Sequence, residues 1–197
     1  MKENIWNDEN LIKVLKKGGI AVMPTDTIYG IVGRAQNEST VNRIYTIRKR
    51  NPDKPCIILI GDTNELEKFS VFPTEEQKIK LEELWHISAM ADMCQERAIS
   101  IILDCPDEKL TYLHRGTKTL AFRIPAPKAL RDLLLKVGPL IAPSANAEAL
   151  PPPQNIDEAK KYFSNLVDLY INAGTIKNKA SKLIKLHKDG SIDILRK

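Results

Sequence analysis

The feature of this sequence that most constrains its fold is the alternation of short apolar runs with longer amphipathic stretches. Each apolar run is long enough for a β-strand but far shorter than the roughly 18 residues that cross a bilayer. The stretches between them place their apolar residues at helical spacing. Buried strands that alternate with amphipathic helices predict an α/β or α+β fold with a mixed sheet. The predicted strands lie at 20–23, 56–60, 98–103, 119–123, 139–142, 166–171, 182–187 and 191–195.

The helix boundaries are predicted from residues that start or stop helices. Gly18 and Gly19 end the first predicted helix. Four more helices are predicted to begin after Ser39 or Thr40, at a capping box of Thr74 and Gln77, at Pro127 and at Asn155. The sequence contains no internal repeat and no linker, so its 197 residues predict one domain spanning 1–197.

The charge of the chain favours some partners over others. Lysine and arginine number 30 against 25 acidic residues, which gives a net charge of +5 and a pI near 9.0. This surplus favours an anionic partner such as a nucleotide or a nucleic acid, but the same balance arises where lysines only keep a protein soluble. The sequence has no signal-peptide pattern and no membrane-length run, so we expect a soluble, cytoplasmic protein with no membrane partner.

Cysteine and histidine predict neither a disulfide framework nor a metal site. The three cysteines form no CxxC pair, and Cys56 and Cys105 lie in or beside apolar runs where they should be buried. The histidines His86, His114 and His187 are scattered, and we expect them at the surface or at an interface. The common nucleotide signatures GxxxxGK[ST] and GxGxxG are absent, as is the GxSxG hydrolase elbow.

A polar segment at 24–30, PTDTIYG, directly follows the first predicted strand. Ligands tend to bind where strands of an open sheet end. The hydroxyls of Thr25 and Thr27 could orient a small polar substrate, and Gly30 and Gly33 would let the backbone approach it closely. The same residues also suit a hydroxyl-rich turn that binds no ligand.

A cationic segment at 48–55, RKRNPDKP, connects a predicted helix to a predicted strand. The guanidinium groups of Arg48 and Arg50 suit phosphate oxygens, and Lys54 adds a compact positive charge. Two prolines stiffen the segment and would hold these cations in place. Cations are also favoured at a helix C-terminus by the helix dipole, so a purely structural role fits equally well.

A third polar segment, APSAN at 142–146, follows another apolar strand. Its Ser144 hydroxyl and Asn146 amide lie two residues apart and could contact a phosphate or a purine edge. A capped turn without a ligand is the alternative. Each of the three segments is a weak signal alone, and their order and spacing together are more specific.

With these motifs in order, the sequence resembles the YrdC-like family of L-threonylcarbamoyladenylate synthases. The family pattern PT[ED]TxYG matches 24–30, and KxRxxxKP matches 48–55 with Arg48 in place of the usual lysine. The strand pattern TxAxR matches 119–123, and APSAN matches 142–146. The resemblance covers nearly the whole chain and implies a twisted mixed parallel and antiparallel sheet, flanked by helices, with a positively charged concave cleft.

The resemblance also implies a reaction in which L-threonine, bicarbonate and ATP give threonylcarbamoyl-AMP and pyrophosphate. Mg²⁺ would accompany ATP as a substrate, and the protein itself would supply no nucleophile and no metal site. The product would feed threonylcarbamoylation of tRNA, with tRNA and a tRNA threonylcarbamoyl transferase complex as further partners. The residues implied to bind ATP are Arg48, Arg50, Lys54, Thr119, Ser144, Asn146 and Arg196. Those implied to bind threonine are Thr25, Thr27, Tyr29, Arg123, Ala142 and Ser181, with Arg123 pairing with the threonine carboxylate.

The sequence departs from the family pattern at several positions. SANxSG becomes SANAEA, which puts Glu148 near the predicted phosphate site, and a usual strand histidine is Leu59. The late serine motif keeps only Ser181. A non-catalytic member that binds a nucleotide or RNA is therefore an alternative. It is supported by the net positive charge and by a lysine-rich stretch formed by Lys177, Lys179, Lys182, Lys185 and Lys188. Another ATP-dependent carbamoyl or adenylyl transferase is a third possibility.

Overall fold

The strands of this protein form one mixed sheet in the computed structural model. The model describes the backbone of residues 3–90 and 98–197, and the side chains of residues 5–85 and 98–197. Within these residues the sheet has nine strands in the order β7-β1-β2-β6-β3-β5-β4-β8-β9. The strands are β1 (Ala21–Pro24), β2 (Tyr29–Arg34), β3 (Ile57–Leu59), β4 (Ile99–Asp104), β5 (Thr119–Arg123), β6 (Leu140–Ile141), β7 (Leu169–Tyr170), β8 (Lys182–Leu186) and β9 (Ile192–Arg196).

Pairing in the sheet is both parallel and antiparallel, as the sequence predicts. The parallel pairs are β1 with β7, β3 with β5, and β4 with β8. The antiparallel pairs are β1 with β2, β2 with β6, β3 with β6, β4 with β5, and β8 with β9. The predicted α/β class with a mixed sheet is therefore confirmed.

Helices connect the strands and cover the sheet. They are α1 (Glu9–Lys16), α2 (Glu38–Arg48), α3 (Glu75–Met90), α4 (Thr111–His114), α5 (Lys128–Val137) and α6 (Ile156–Phe163). Short 3₁₀ turns occur at Glu3–Asn7, Thr63–Phe69, Glu108–Leu110 and Ser164–Leu166. The buried apolar residues form two clusters, one around Ile31, Ile58 and Phe122 and one around Leu59, Leu133 and Leu140. Ile58 and Leu59 are neighbours on β3 and point to opposite faces, so the sheet has a core on each side.

The predicted caps account for several helix starts. Thr74 and Gln77 form the expected reciprocal capping box at α3, with N–H to side-chain oxygen distances of 3.1 and 3.2 Å. The Asn155 side chain accepts the N–H of Glu158 at the start of α6. Helix α2 begins at Glu38 rather than after Ser39 or Thr40, because Asn37 is its N-cap and accepts the N–H of Thr40 at 3.1 Å.

Strand β2 was not among the predicted strands. Its sequence, YGIVGR, contains two glycines that weaken the usual strand pattern. Gly33 contacts helix α2, since a Cβ there would lie 2.4 Å from Cγ2 of Thr40. The expectation that Gly33 lets the backbone approach a ligand is therefore wrong: the close approach is between a strand and a helix.

The burial of the two core cysteines is as predicted, but that of one histidine is not. Cys56 and Cys105 are buried with free thiols, whereas Cys94 and the side chain of His86 lie outside the described residues. His114 is fully buried rather than at the surface. Its Nδ1 accepts the N–H of Gly116 at 3.1 Å and its Nε2 lies 3.3 Å from the Asp107 carbonyl oxygen, so backbone groups satisfy both ring nitrogens.

The described residues contain neither a membrane-spanning helix nor a cluster of metal ligands. No helix there is long and apolar enough to cross a membrane. No group of three or more histidine, cysteine, aspartate or glutamate side chains there is arranged to hold a metal ion.

Candidate anion-binding site

A cavity of about 470 Å³ opens beside the central strands. Its walls come from the 24–30 turn, the loop after α2, strand β5, the loop after β6, and the beginning of β8 with the end of β9. This size is within the range of small-molecule sites. The cavity thus gathers segments that are far apart in the sequence.

Most of the predicted site residues line this cavity. They are Thr25, Thr27, Arg50, Lys54, Thr119, Arg123, Ala142, Ser144, Ser181 and Arg196. Three predicted residues, Tyr29, Arg48 and Asn146, do not line it and are buried behind its wall. Tyr29 donates its hydroxyl proton to the Gly174 carbonyl and accepts the N–H of Ala173, both at 2.9 Å, so its polar end is turned away.

Strand β2 explains why two of the sequence motifs meet. The loop after β6 pairs with β2 through an isolated bridge between Ser144 and Gly30. The N–H of Ala145 donates to the Tyr29 carbonyl at 2.9 Å. These bonds place APSAN directly against PTDTIYG. The Ala142 N–H donates to the Ile57 carbonyl at 2.9 Å, so a backbone contact from Ala142 to a ligand would come from its carbonyl oxygen.

The two threonines of the 24–30 turn hydrogen-bond to each other and to the turn. The Thr25 hydroxyl donates to the Ile28 carbonyl at 2.8 Å and accepts the N–H of Thr27 at 3.2 Å. The hydroxyl oxygens of Thr25 and Thr27 lie 3.1 Å apart. These hydrogen bonds fix the turn before any ligand binds, and both threonines line the cavity.

A buried ion pair forms one wall of the cavity. Arg123 donates from Nη2 to Asp26 Oδ1 at 2.8 Å, and the side chains of both are about 5% exposed or less. The same Nη2 lies 3.4 Å from the Thr27 hydroxyl. Among the described residues, the buried Nε of Arg123 has no hydrogen-bond partner. Only Nη2 of Arg123 is used by Asp26 and Thr27, so the guanidinium of this cavity-lining residue keeps donor capacity that a ligand could use.

Ser181 and Arg196 form a second polar group next to Arg123. Ser181 Oγ lies 2.8 Å from Oγ of the buried Ser100. Arg196 donates from Nε to the Ser181 carbonyl at 2.9 Å and from Nη2 to its hydroxyl at 3.3 Å. Burial, and then the nearby charge of Arg123, lower the pKa of Arg196 from its ordinary value. Two neighbouring guanidinium groups favour an anion between them.

On another part of the wall, the loop at 50–55, which we call the cationic loop, is held in shape by hydrogen bonds within the loop. Arg50 donates from Nε to the Lys54 carbonyl at 3.0 Å and from Nη2 to the Pro55 carbonyl at 2.8 Å. The Tyr45 hydroxyl donates to the same Lys54 carbonyl at 2.9 Å. Burial, and then the neighbouring Cys56, raise the pKa of Tyr45 to about 12, so the hydroxyl keeps its proton. Arg115 stacks 3.9 Å above the Tyr45 ring and holds it in place.

Arg48 supports this wall from behind. It is 2% exposed, and it donates from Nε to the Asn146 carbonyl at 3.0 Å and from Nη2 to the Ser144 hydroxyl at 3.2 Å. Its burial, and then the charge of Arg50, lower its pKa from the ordinary value. The Asn146 amide donates to the carbonyls of Ala147 and Leu150. Arg48 and Asn146 therefore fix the loop after β6 rather than face the cavity.

Four important residues of the site were not assigned a role from the sequence. Asp26 neutralises Arg123, Tyr45 positions the cationic loop, and Ser100 orients Ser181. Glu148 lies against Arg50 and Lys54, whereas the sequence placed it only near the predicted phosphate site. Asp26 lies inside the PTDTIYG motif and could have been found there. The other three contacts join sequence-distant residues or lack a motif.

The arrangement defines a class of protein: an α/β domain with a cavity lined by two groups of cations and by several hydroxyl side chains, which suits a small anionic ligand. The chain belongs to the Sua5/YciO/YrdC family, whose model carries the description "Telomere recombination" and matches residues 13–197. The match covers the sequence from helix α1 to β9, and so includes every segment that lines the cavity.

Named relatives support the family assignment. A Methanocaldococcus jannaschii protein named "Putative threonylcarbamoyl-AMP synthase" is 31% identical over 187 residues, which is 94% of this chain and 83% of that protein. A Pseudomonas fluorescens protein named threonylcarbamoyl-AMP synthase is 26% identical over 192 residues, covering 96% of this chain and 97% of its own.

A solved structure shows the same fold. The crystal structure of P. abyssi Sua5 complexed with L-threonine superimposes with a TM-score of 0.77 at 24% identity. The match covers 94% of this chain and 52% of that longer chain. At this identity the likeness concerns the fold, and the roles of individual residues rest on the geometry above.

Proposed function

We propose that this protein is an L-threonylcarbamoyladenylate synthase, which makes threonylcarbamoyl-AMP and pyrophosphate from L-threonine, bicarbonate and ATP. The observation that carries the proposal is that Arg50 and Lys54 line the same cavity as Arg123, whose guanidinium uses only Nη2 on Asp26 and Thr27. Arg50 and Lys54 suit the phosphates of a nucleotide, and Arg123 suits a carboxylate. Full-length relatives named for this activity support the choice of substrates.

In this proposal, ATP lies along the cationic loop. Arg50 and Lys54 bind its phosphate oxygens, while Ser144, Thr119 and Arg196 contact the rest of the nucleotide. Thr119 is held through its hydroxyl contact with Thr117 at 3.2 Å, and Thr117 donates to the His114 carbonyl at 2.6 Å. Arg48 and Asn146 act as positioning residues, because their polar groups hold the 144–150 loop and do not line the cavity.

Threonine is proposed to bind at the other group of cations. Its carboxylate would accept from the guanidinium of Arg123, and Thr25, Thr27 and Ser181 line the same cavity. Asp26 partly neutralises Arg123, so one threonine carboxylate would complete the charge balance of the pair formed by Arg123 and Arg196. Tyr29 shapes the pocket from behind through β2.

The chemistry needs position and charge rather than a protein nucleophile. The threonine amine attacks carbon dioxide supplied by bicarbonate and loses a proton, which gives a carbamate. A carbamate oxygen then attacks the α-phosphorus of ATP, and the bond to the bridging oxygen breaks to release pyrophosphate. Arg50 and Lys54 would stabilise the charge that develops on the leaving pyrophosphate.

Mg²⁺ would enter this reaction with ATP. Among the described residues no cluster of ligands is arranged to hold a metal, and the side chains proposed to bind phosphate are cations. These residues fit phosphate oxygens and leave the coordination of Mg²⁺ to the phosphates themselves. When bound, the ion supplies further charge neutralisation on the triphosphate.

The proposed product is an activated threonylcarbamoyl group. Its acceptor would be an adenosine of tRNA, through a tRNA threonylcarbamoyl transferase complex, which places the reaction in the cytoplasm. The protein would then make a reactive intermediate and transfer it to that partner.

The proposal is tested by incubating the protein with ATP, L-threonine and bicarbonate. We expect pyrophosphate release and threonylcarbamoyl-AMP, detected by mass spectrometry, and neither when threonine is omitted. Absence of product beside an active related synthase would reject the reaction. RNA binding that weakens steeply with salt, without product, would instead favour the non-catalytic alternative.

A further inference from the structure

The backbone around Glu148 is fixed by the loop that follows β6. Its N–H donates to the Arg48 carbonyl at 2.9 Å, and the next residue, Ala149, has a positive φ of 67°. The Asn146 amide bonds to carbonyls on both sides of Glu148, those of Ala147 and Leu150. The position of the Glu148 side chain is therefore built into the fold.

The carboxylate of Glu148 lies among three cations. Its Oε2 is 3.4 Å from Nη1 of Arg50 and 3.9 Å from Nη1 of Arg48, and its Oε1 is 3.3 Å from Nζ of Lys54. The Glu148 side chain is 26% exposed, so water screens these attractions less than it would at an open surface.

These contacts use the donors that a ligand would need. Nε and Nη2 of Arg50 already donate to the carbonyls of Lys54 and Pro55, so Nη1 is the nitrogen of Arg50 that reaches outward to a carboxylate. Lys54 Nζ donates to the same glutamate. An incoming phosphate would meet both cations already occupied by a negative charge.

We propose that Glu148 is an internal competitor for phosphate, which sets the affinity of this cavity for polyphosphate ligands. A ligand phosphate must displace the carboxylate from Arg50 and Lys54 or bind beside it against its repulsion. In both cases the attraction between Glu148 and the two cations is lost or offset on binding. Removing the charge of Glu148 therefore strengthens phosphate binding.

A purely structural role for Glu148 makes the opposite prediction. Arg48 is buried with a lowered pKa, and Glu148 is a carboxylate that partly balances its charge. If that were the whole role of Glu148, removing its charge would loosen the wall behind Ser144. Thermal stability would then fall and phosphate binding would weaken.

The experiment is calorimetric titration of the full chain with inorganic pyrophosphate in the presence of EDTA. We expect Glu148→Gln to bind pyrophosphate about three- to tenfold more tightly than the unmodified protein, which is the scale of a partly exposed ion pair. Glu83→Gln, which removes an exposed glutamate charge paired with Lys80 outside the cavity, is the matched control and should leave the Kd unchanged. In a Lys54→Ala background, where one of the two competed cations is absent, adding Glu148→Gln should give a smaller gain than it gives in the unmodified protein.

Several results would overturn the inference. These are an unchanged or weaker affinity in Glu148→Gln, an equal gain in Glu83→Gln, a gain from Glu148→Gln that is undiminished in the Lys54→Ala background, or no binding by either the unmodified protein or Glu148→Gln. The inference rests on the phosphate assignment of the proposed function but not on its reaction. If the unmodified protein forms no threonylcarbamoyl-AMP while Glu148→Gln still gains affinity for pyrophosphate, the reaction is rejected and the inference stands.

Discussion

At the scale of single residues, how well a cation in this cavity can bind a ligand depends on which of its hydrogen-bond donors are already used within the protein. Two of the three side-chain nitrogens of Arg50 donate to carbonyls of its own loop, and these bonds hold the loop in shape. Lys54 has a side chain that is 61% exposed and bonded only through Nζ to Glu148 among the described residues. The side chain of Arg50 therefore both shapes the loop and can bind a ligand. The side chain of Lys54 has no part in shaping the loop, so we expect its role to lie in ligand binding.

Lys54→Ala should therefore weaken ATP binding without weakening the fold. A hydrogen bond to a charged group contributes about 1.5–3 kcal/mol, so we expect the Kd for ATP to rise by at least about tenfold. The melting temperature should change little, because an exposed ion pair contributes about 0–1 kcal/mol. The measurements are calorimetric titration with ATP and thermal unfolding.

Lys128→Ala is the control for this change. Lys128 is also an exposed lysine paired with a carboxylate, that of Asp132, but it lies outside the cavity. Equal loss of ATP affinity in both variants would show that the effect comes from net charge alone. Unchanged affinity in Lys54→Ala would remove Lys54 from the phosphate site.

At the scale of the elements, β2 organises the site. It pairs with β1 on one side and β6 on the other, and it joins the 24–30 turn to the 142–146 loop. The close contact between β2 and α2 at Gly33 sets how near the helix lies to the strand, and the 48–55 segment starts at the C-terminal end of that helix. The packing of one glycine is thereby linked to the placement of the cationic loop.

Gly33→Ala should destabilise the protein by about 1–3 kcal/mol, which is the cost of overpacking a core contact. The added Cβ would lie 2.4 Å from Cγ2 of Thr40 and 3.1 Å from Cδ1 of Ile44. Chemical denaturation measures the change. Adding Thr40→Ser removes the clashing methyl and keeps the hydroxyl that donates to the Gly18 carbonyl at 2.6 Å, so it should restore part of the loss. If the second change restores nothing, the contact with Thr40 is not the cause.

Asp168 joins β1, β7 and α2 and makes their packing depend on pH. Its Oδ2 accepts from the N–H of Ile20 and from Nη1 of Arg43, both at 2.7 Å. Hydrogen bonding from Arg43 chiefly lowers the pKa of Asp168 below its ordinary value, and the bond from Ile20 lowers it further. A carboxylate with a lowered folded-state pKa stabilises the protein above its unfolded pKa of about 3.9, and this contribution is lost as the pH falls through the folded-state pKa.

Asp168→Asn should therefore lower the free energy of unfolding at neutral pH, and the difference from the unmodified protein should shrink in acid. Urea unfolding of both proteins at neutral pH and at several values below about pH 4 measures this difference. Other carboxyl groups titrate in both proteins and cancel in the comparison. A difference that stays constant across the range would mean that the charge of Asp168 contributes nothing to stability.

The sequence predicted elements better than it predicted pairings between them. Strand β5 has the predicted bounds, and the capping box at Thr74 is present, because both depend on residues close together in the chain. Strand β2 was missed because its glycines are explained only by tertiary contacts, that of Gly33 with α2 and that of Gly30 with Thr25 and the Pro143 carbonyl. The pairing of Asp26 with Arg123 and the contact of Glu148 with the cationic loop depend on tertiary structure, which local patterns do not contain.

At the scale of the whole molecule, the cavity draws on nearly the full length of the described chain. Its lining begins at Thr25 in the turn after β1 and ends at Arg196 in β9. The strands that carry these residues are joined in one continuous sheet with a core on each face. Partial unfolding of either end would therefore dismantle the site, so ligand binding and global stability should be coupled.

This coupling predicts that the protein unfolds in one cooperative transition and that a bound ligand moves the whole transition to higher temperature. For a ligand that binds only the folded state, a concentration of 100 times its Kd adds about 2.7 kcal/mol to the free energy of unfolding. Scanning calorimetry with and without ATP should show a single peak that moves to higher temperature, with equal calorimetric and van't Hoff enthalpies. Two peaks, of which ATP moves only one, would mean that the cavity belongs to a part of the chain that folds independently. Because Lys54→Ala weakens only the ligand contact, its peak should shift less with ATP while keeping the same position without it.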